Sequence, residues 1–153
     1  MRADISVNRK ALHEYHILER FEAGVELKGT EVKSIRAGLA NVTGAFGKVE
    51  KNQLWLYGVD VQAYAKASYE QHESKRQRRA LLKRREINHL TEMTQVAGHS
   101  IVVLRLYWKE HLVKVELGLG KGKLAHDKRD DIKAKAEKRE ADRTAANFNR
   151  SRA

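Results

Sequence analysis

The sequence predicts a mainly β protein: an antiparallel sheet, open or closed into a small barrel, with two or three attached helices and a basic tail. Three observations carry this reading. The stretches "SIVVLRLYW" and "LVKVELGLG" alternate apolar residues around a short polar link, which is the pattern of an antiparallel hairpin. Weaker alternation recurs at 14–28, 41–50 and 53–59. From Gly120 onward the alternation stops and lysine, arginine and alanine take over.

Taken in order, "EYHILERFEAGVELK" sets Tyr15, Ile17 and Phe21 two or four apart, as on one strand face, with Gly24 at a bend or bulge. In "GTEVKSIRAG", Thr30 as N-cap, Glu31 in the first turn and Gly38 as the stop predict a short helix. Strands at 41–50 and 53–59 flank the polar pair Lys51-Asn52. Between 74 and 98, Ala80, Leu81, Leu82, Ile87, Leu90, Met93 and Ala97 recur at helical spacing. They predict a helix, a break, and a second helix capped by Thr91 and ended by Gly98. In the first hairpin strand Val102, Leu104, Leu106 and Trp108 fall on one face, and Ile101, Val103, Arg105 and Tyr107 on the other. In the second, Val113, Val115, Leu117 and Leu119 alternate with Leu112, Lys114, Glu116 and Gly118, with Lys114 outward. The link is Lys109-Glu110-His111.

A chain of 153 residues supports one core, assigned here to 1–119, with 120–153 as the tail. The formal charge of +11 and pI near 9.9 suit a polyanionic partner. There is no cysteine, which excludes disulfides and thiolate metal sites and fits a reducing compartment. The start, "MRADISVNRK", has no apolar stretch typical of a secretion signal, and no run approaches the ~20 apolar residues of a membrane span. A cytoplasmic protein that binds nucleic acid is the expectation. A merely soluble basic protein is the plain alternative.

The densest basic run is "KRQRRALLKRR", with Lys75, Arg76, Arg78, Arg79, Lys83, Arg84 and Arg85 and no acid among them. Like charges so close on a helix repel, so phosphates are the expected neutraliser, against an idle basic face. Leu81 and Leu82 point about 100° apart on such a helix, so one of them is free for a partner or widens the apolar face. Trp55 and Tyr57 share a strand face beside cations, an arrangement that holds unpaired bases, although each ring taken singly is expected in the core. Seven histidines form no pair with metal-ligand spacing on a defined scaffold, and no nucleophile or phosphate-loop motif is present. Neither metal, cofactor nor enzymatic activity is expected; a ribonuclease using His126 with Asp127 is the enzyme alternative. The tail holds a net +5 with few large apolar side chains, so alone it is expected to be largely disordered and to become helical on a partner. Asp131, Lys135 and Arg139 stand at helix-supporting four-residue steps.

Six stretches in order and at near-fixed spacing, "NRKALHEYHI", "FEAG", "GTEVKSIRAGLAN", "RALLKRREI", "LRLYWKEHLVKVELGLGKGK" and "HDKR", resemble the SsrA-binding protein (small protein B) family over about Asn8 to Ile132. The resemblance implies an OB-like antiparallel barrel with attached helices. It implies a non-enzymatic, monomeric adaptor in trans-translation. Such an adaptor binds the tRNA-like domain of transfer-messenger RNA and sets its tail against small-subunit rRNA in the decoding centre and mRNA channel. By motif match, Glu22, Leu81 and Lys114 fall at the RNA contact, with Asn8, Lys33, Arg36, Asn41, Arg78 and Arg79 as additions. Lys121, Gly122, Lys123, His126, Asp127, Lys128 and Arg129 fall in the decoding-centre segment. Leu124 stands where the family has a second lysine, "YEQHESKRQRR" lacks the usual proline, and the hairpin turn has neither Asn nor Gly. A general RNA-binding or ribosome-associated protein of the same fold is the other reading.

Overall fold

A computed structural model describes residues 2–63 and 73–151; the side chains of residues 2, 125–127, 131 and 146–151 lie outside the described set. The elements are β1 (Arg2–Val7), α1 (Arg9–Glu14), β2 (Tyr15–Val25), α2 (Gly29–Arg36), β3 (Ala40–Asn41), β4 (Phe46–Glu50), β5 (Gln53–Tyr57), β6 (Asp60–Val61), β7 (Arg78–Leu81), α3 (Arg84–Met93), β8 (His99–Lys109), β9 (Leu112–Gly122) and α4 (Ala125–Ser151). Residues up to Gly122 form one compact unit, and Lys123 onward forms a second.

In the first unit the antiparallel order β1-β8-β4-β5-β7-β2-β9 closes on itself through β8–β9, so six strands make a barrel and β1 lies on part of the β8 edge. Closure at β4–β8 rests on Phe46↔Val102 and Gly47↔Ile101. A Cβ on Gly47 would sit 2.9 Å from Ile101 Cγ2, so only glycine lets these backbones approach. Ala23, Leu54, Leu56, Ala80, Ile101, Val103, Leu106, Val115, Leu117 and Leu119 fill the interior.

Strict alternation along the long strands fails at two bulges. Register shifts between Ile17 and Glu19 in β2 and between Val103 and Arg105 in β8, and each turns the strand over. Tyr15, Ile17, Val102 and Leu104 therefore leave the barrel interior and form a second cluster with Ala11 of α1, whereas Phe21, Leu106 and Trp108 pack inward. This corrects the single-face assignments from periodicity. β9 has no room on its outer side there: Cβ atoms on Gly118 and Gly120 would meet Leu104 at 3.0 Å and Tyr15 at 3.1 Å.

Asn8 ties this corner together. Its Nδ2 donates to the Val103 carbonyl at 2.9 Å, and its Oδ1 accepts from the amides of Ala11 at 3.2 Å and Gly44 at 3.5 Å. Neither β1 nor α1 was predicted: "RADISV" alternates weakly, and six residues around one buried alanine carry too little helical period.

The helix predicted from residue 74 is in part a strand. Arg78–Leu81 is β7, with Arg78 and Ala80 facing inward and Arg79 and Leu81 outward, and helix begins only at Arg84. The adjacent Leu81-Leu82 pair, awkward on a helix, is natural where a strand ends. Thr91 lies inside α3, its Oγ1 donating to the Ile87 carbonyl, and is no cap. The true caps are carboxylates reaching back: Glu31 accepts from the Lys28 amide at 2.7 Å and Glu86 from the Lys83 amide at 3.1 Å, displacing Thr30 from that role. Gly44 at φ +77° splits the expected strand 41–50 into β3 and β4.

In the second unit α4 is a helix of 27 residues whose described side chains are nearly all exposed.

Candidate nucleic-acid interface

Antiparallel register lines up Leu81 (β7), Gly24 (β2), Lys114 (β9), Tyr107 (β8) and Asp4 (β1) in one row across five strands. Because Val115, Ala23 and Ala80 point inward, their neighbours in this row face out. Gly24 carries no side chain, so Leu81 lies over its backbone with carbons 3.4 Å from where a Cβ would be, and Leu81 stays 50% exposed.

Glu22 stands two residues from Gly24 on the same face. It accepts from the Tyr107 hydroxyl at 2.5 Å and from Lys109 Nζ at 2.9 Å. The tyrosine hydrogen bond and then the lysine bond hold its carboxyl below the usual carboxylate range, and the charge of Lys114 adds to this. Burial, with the Glu22 carboxylate beside it, drives Tyr107 far above the ordinary phenol range, so its hydroxyl remains a donor.

Opposite Glu22 in the ladder is Glu116, and two facing acids are destabilising unless each has its own cations. Arg105 donates to Glu116 at 2.6 and 2.9 Å, Arg20 donates at 2.6 Å, and Arg105 also reaches Asp4 at 3.0 Å. Burial pushes Glu116 up, and the arginine bonds more than offset it, so it too titrates low. The Arg105 guanidinium lies 5.1 Å from the Tyr107 ring centroid. The outer face is thus a preorganised lattice of acceptor, hydroxyl and cations. Sequence reasoning missed Arg20, Tyr107, Lys109, Arg105 and Glu116 in it. Polar side chains in outward register with Lys114 were the available signal.

The basic run is largely answered from within. Arg78 is wholly buried, donating to Glu31 at 2.5 Å and to the Val59 carbonyl at 2.6 Å. Arg76 donates to the other Glu31 oxygen at 2.6 Å, and Arg79 pairs with Glu26 at 2.7 Å. A guanidinium without solvent contact cannot meet phosphate, so Arg78 is removed from the expected interface; the acids that neutralise it are distant in sequence. Asn8 is removed likewise, its amide being buried and committed. Arg79 stays partly exposed, and Lys75, Lys83, Arg84 and Arg85 are exposed.

Lys33 and Arg36 are exposed on α2, and Asn41 is exposed on β3, its Oδ1 accepting from the Thr43 amide at 2.8 Å. Lys121 and Gly122 belong to β9, with Lys121 opposite His16 on one side and His99 on the other. Lys123, Lys128 and Arg129 belong to the second unit; the side chains of His126 and Asp127 lie outside the described residues. Among the described residues no group of three or more His, Asp or Glu is placed to hold a metal ion, and no helix is long and apolar enough to cross a membrane.

Residues 5–147 match the family model described as SmpB protein. The SsrA-binding protein of Syntrophobacter fumaroxidans is 48% identical over 139 residues, covering 91% of this chain and 86% of that one. Those of Carboxydothermus hydrogenoformans and Bacillus subtilis are each 45% identical over 139 residues, covering 91% of this chain and 93% and 89% of theirs. A solved structure described as "tmRNA-SmpB: a journey to the center of the bacterial ribosome" superposes with a TM-score of 0.65 at 42% identity, covering 78% of this chain and 84% of its own.

Proposed function

The chain belongs to the SmpB protein family, and from that membership we propose that it binds the tRNA-like domain of transfer-messenger RNA and acts with it on stalled ribosomes in trans-translation. The single observation that best supports a contact on the barrel is the Leu81-Gly24-Lys114 row with Glu22 beside it. A carboxylate is acceptor-only, so an ionised Glu22 takes base amino or imino groups or a ribose 2′-hydroxyl and repels phosphate. Lys114 supplies the phosphate contact, and the exposed Leu81 packs on a sugar or base. Lys33, Arg36, Asn41 and Arg79 add positioning contacts to the backbone. Nothing in this scheme requires bond making, and the chain works as an adaptor in the cytoplasm.

The tail carries the second contact. Lys121, Gly122, Lys123, His126, Asp127, Lys128 and Arg129 meet small-subunit rRNA at the decoding centre, and α4 continues along the mRNA channel. What supports this is the family match together with a helix whose described side chains offer charge rather than an apolar stripe, so rRNA phosphate is its natural docking surface.

The test separates the two. Changing Glu22 and Leu81 to alanine is expected to weaken binding to the isolated tRNA-like domain. Changing Asp127, Lys128 and Arg129 is expected to spare that binding and abolish peptide tagging on stalled ribosomes. Equal loss of RNA affinity in both sets would overturn the division.

A further inference from the structure

β4, β5 and β7 turn a row of rings toward solvent. On β5, Leu54 and Leu56 are buried, so Gln53, Trp55 and Tyr57 face out. Phe46 lies opposite Tyr57, and Lys48 and Arg79 lie opposite Trp55 on either side. Phe46 and Tyr57 are stacked, ring centroids 5.3 Å apart and 13° from parallel, and Phe46 is still 46% exposed. The Tyr57 hydroxyl donates to Glu50 at 2.7 Å and accepts from Gln77 at 2.9 Å, which fixes its ring. Among the described residues none of these rings is part of the interior cluster or packs against it, so that cluster does not account for them.

We propose that Phe46, Tyr57 and Trp55 form a stacking platform for unpaired RNA bases, with Lys48 and Arg79 taking the flanking phosphates. This rests on the RNA-binding reading above and extends it from Arg79, which that reading already uses, to the rings beside it. Every base has a π-face, so a rigid aromatic step between two cations accepts single strands with little regard to sequence. The acids nearby are engaged: Glu50 holds Tyr57 and lies 3.8 Å from Lys48, and Glu26 pairs with Arg79. The chain's charge of +11 disfavours a second copy as occupant and favours a polyanion. Arg79 and Leu81 are neighbours on the outer side of β7, so the platform runs directly into the Leu81-Gly24-Lys114 row. On its other side Phe46 and Lys48 line a groove of about 660 Å³ with Lys10, Tyr15, Thr94 and His99, roomy enough for a splayed nucleotide.

The probes are a labelled single-stranded RNA of about 12 nucleotides, a duplex of equal length, and the tRNA-like domain, each titrated with the full chain by anisotropy. F46A and W55A are each expected to lose about 5- to 150-fold in single-strand affinity with the salt slope unchanged, duplex binding being little affected. W55F is expected to restore most of the loss, and K48A to lower the salt slope by about one. Single-strand affinity equal to the unmodified chain in F46A and W55A, both with unchanged melting temperature, would overturn the platform. So would a loss that tracks a fall in melting temperature and is not rescued by W55F. Intact RNA affinity with lost capture of purified ribosomal proteins would instead assign the face to a protein. If E22A/L81A loses the tRNA-like domain while the platform variants bind normally, only this inference fails. If the unmodified chain ignores that domain yet grips single strands through Trp55, the functional reading fails and the platform stands.

Discussion

Glu31 and Arg78 are joined by a 2.5 Å hydrogen bond, and neither side chain has any contact with solvent. The bond links α2 to β7, and Arg76 takes the second carboxylate oxygen. Glu31→Ala leaves the Arg78 guanidinium buried without its counter-charge and is expected to cost about 3–5 kcal/mol in urea unfolding, whereas Arg78→Ala leaves Glu31 its bond from Arg76 and is expected to cost less. Arg78→Ala should leave the salt slope of RNA binding unchanged, whereas Arg79→Ala should lower it by about one. A stable Arg78→Ala protein with a reduced slope would return that residue to the interface.

Acid should unfold the protein through its low-titrating carboxyls. Glu22 is held low first by the Tyr107 hydrogen bond; for Glu31 and Glu116 burial pushes up, and the arginine bonds outweigh it. A carboxyl whose folded pKa lies below its unfolded value stabilises fully above the ordinary 4.5 and loses that contribution as pH falls through the folded value. Melting temperature is therefore expected to decline below about pH 4.5, with these groups contributing fully and almost independently of pH above it. Glu31→Gln should be less stable at neutral pH and flatter in acid; an unaltered acid limb would show that Glu31 does not set it.

Asn8→Ala is expected to cost about 1–3 kcal/mol, since it strands the Val103 carbonyl and the Ala11 amide together. Asn8→Asp keeps the cap acceptor but loses the donor to Val103, so its chemical denaturation midpoint should fall between those of the alanine variant and the unmodified protein.

Glu110 holds φ +58° in the β8–β9 turn, a conformation that costs a residue with a side chain about 1–2 kcal/mol. Glu110→Gly or Glu110→Asn should raise the melting temperature without touching RNA affinity. A lower melting temperature would mean that Glu110 makes a compensating contact.

The hairpin and the antiparallel class were legible because two-residue periodicity is a local signal, whereas β9 continues past the expected break at Gly120 to Gly122. The faces of β2 and β8 were not, because one extra residue at a bulge inverts the alternation and leaves no mark in residue type. The strand at Arg78–Leu81 was hidden by its charge: its neutralisers, Glu31 and Glu26, lie some fifty residues earlier. Of the site, Leu81 and Lys114 came from motif match, while Tyr107 and Lys109 became visible only when register set them beside Glu22.

Two of the barrel's seams are narrow. β4 meets β8 at Phe46↔Val102 and Gly47↔Ile101, and β7 meets β2 at Gly24↔Leu81 and Val25↔Ala80. They divide the wall into two leaves, β4-β5-β7 and β2-β9-β8, each stitched by longer ladders. Leu81 sits on one leaf and Lys114 on the other, so a ligand bridging that row acts as a clasp across a hinge line. Amide protons along these two seams should exchange first in the unliganded chain, and those at Gly24 and Leu81 should slow most when the clasp is on.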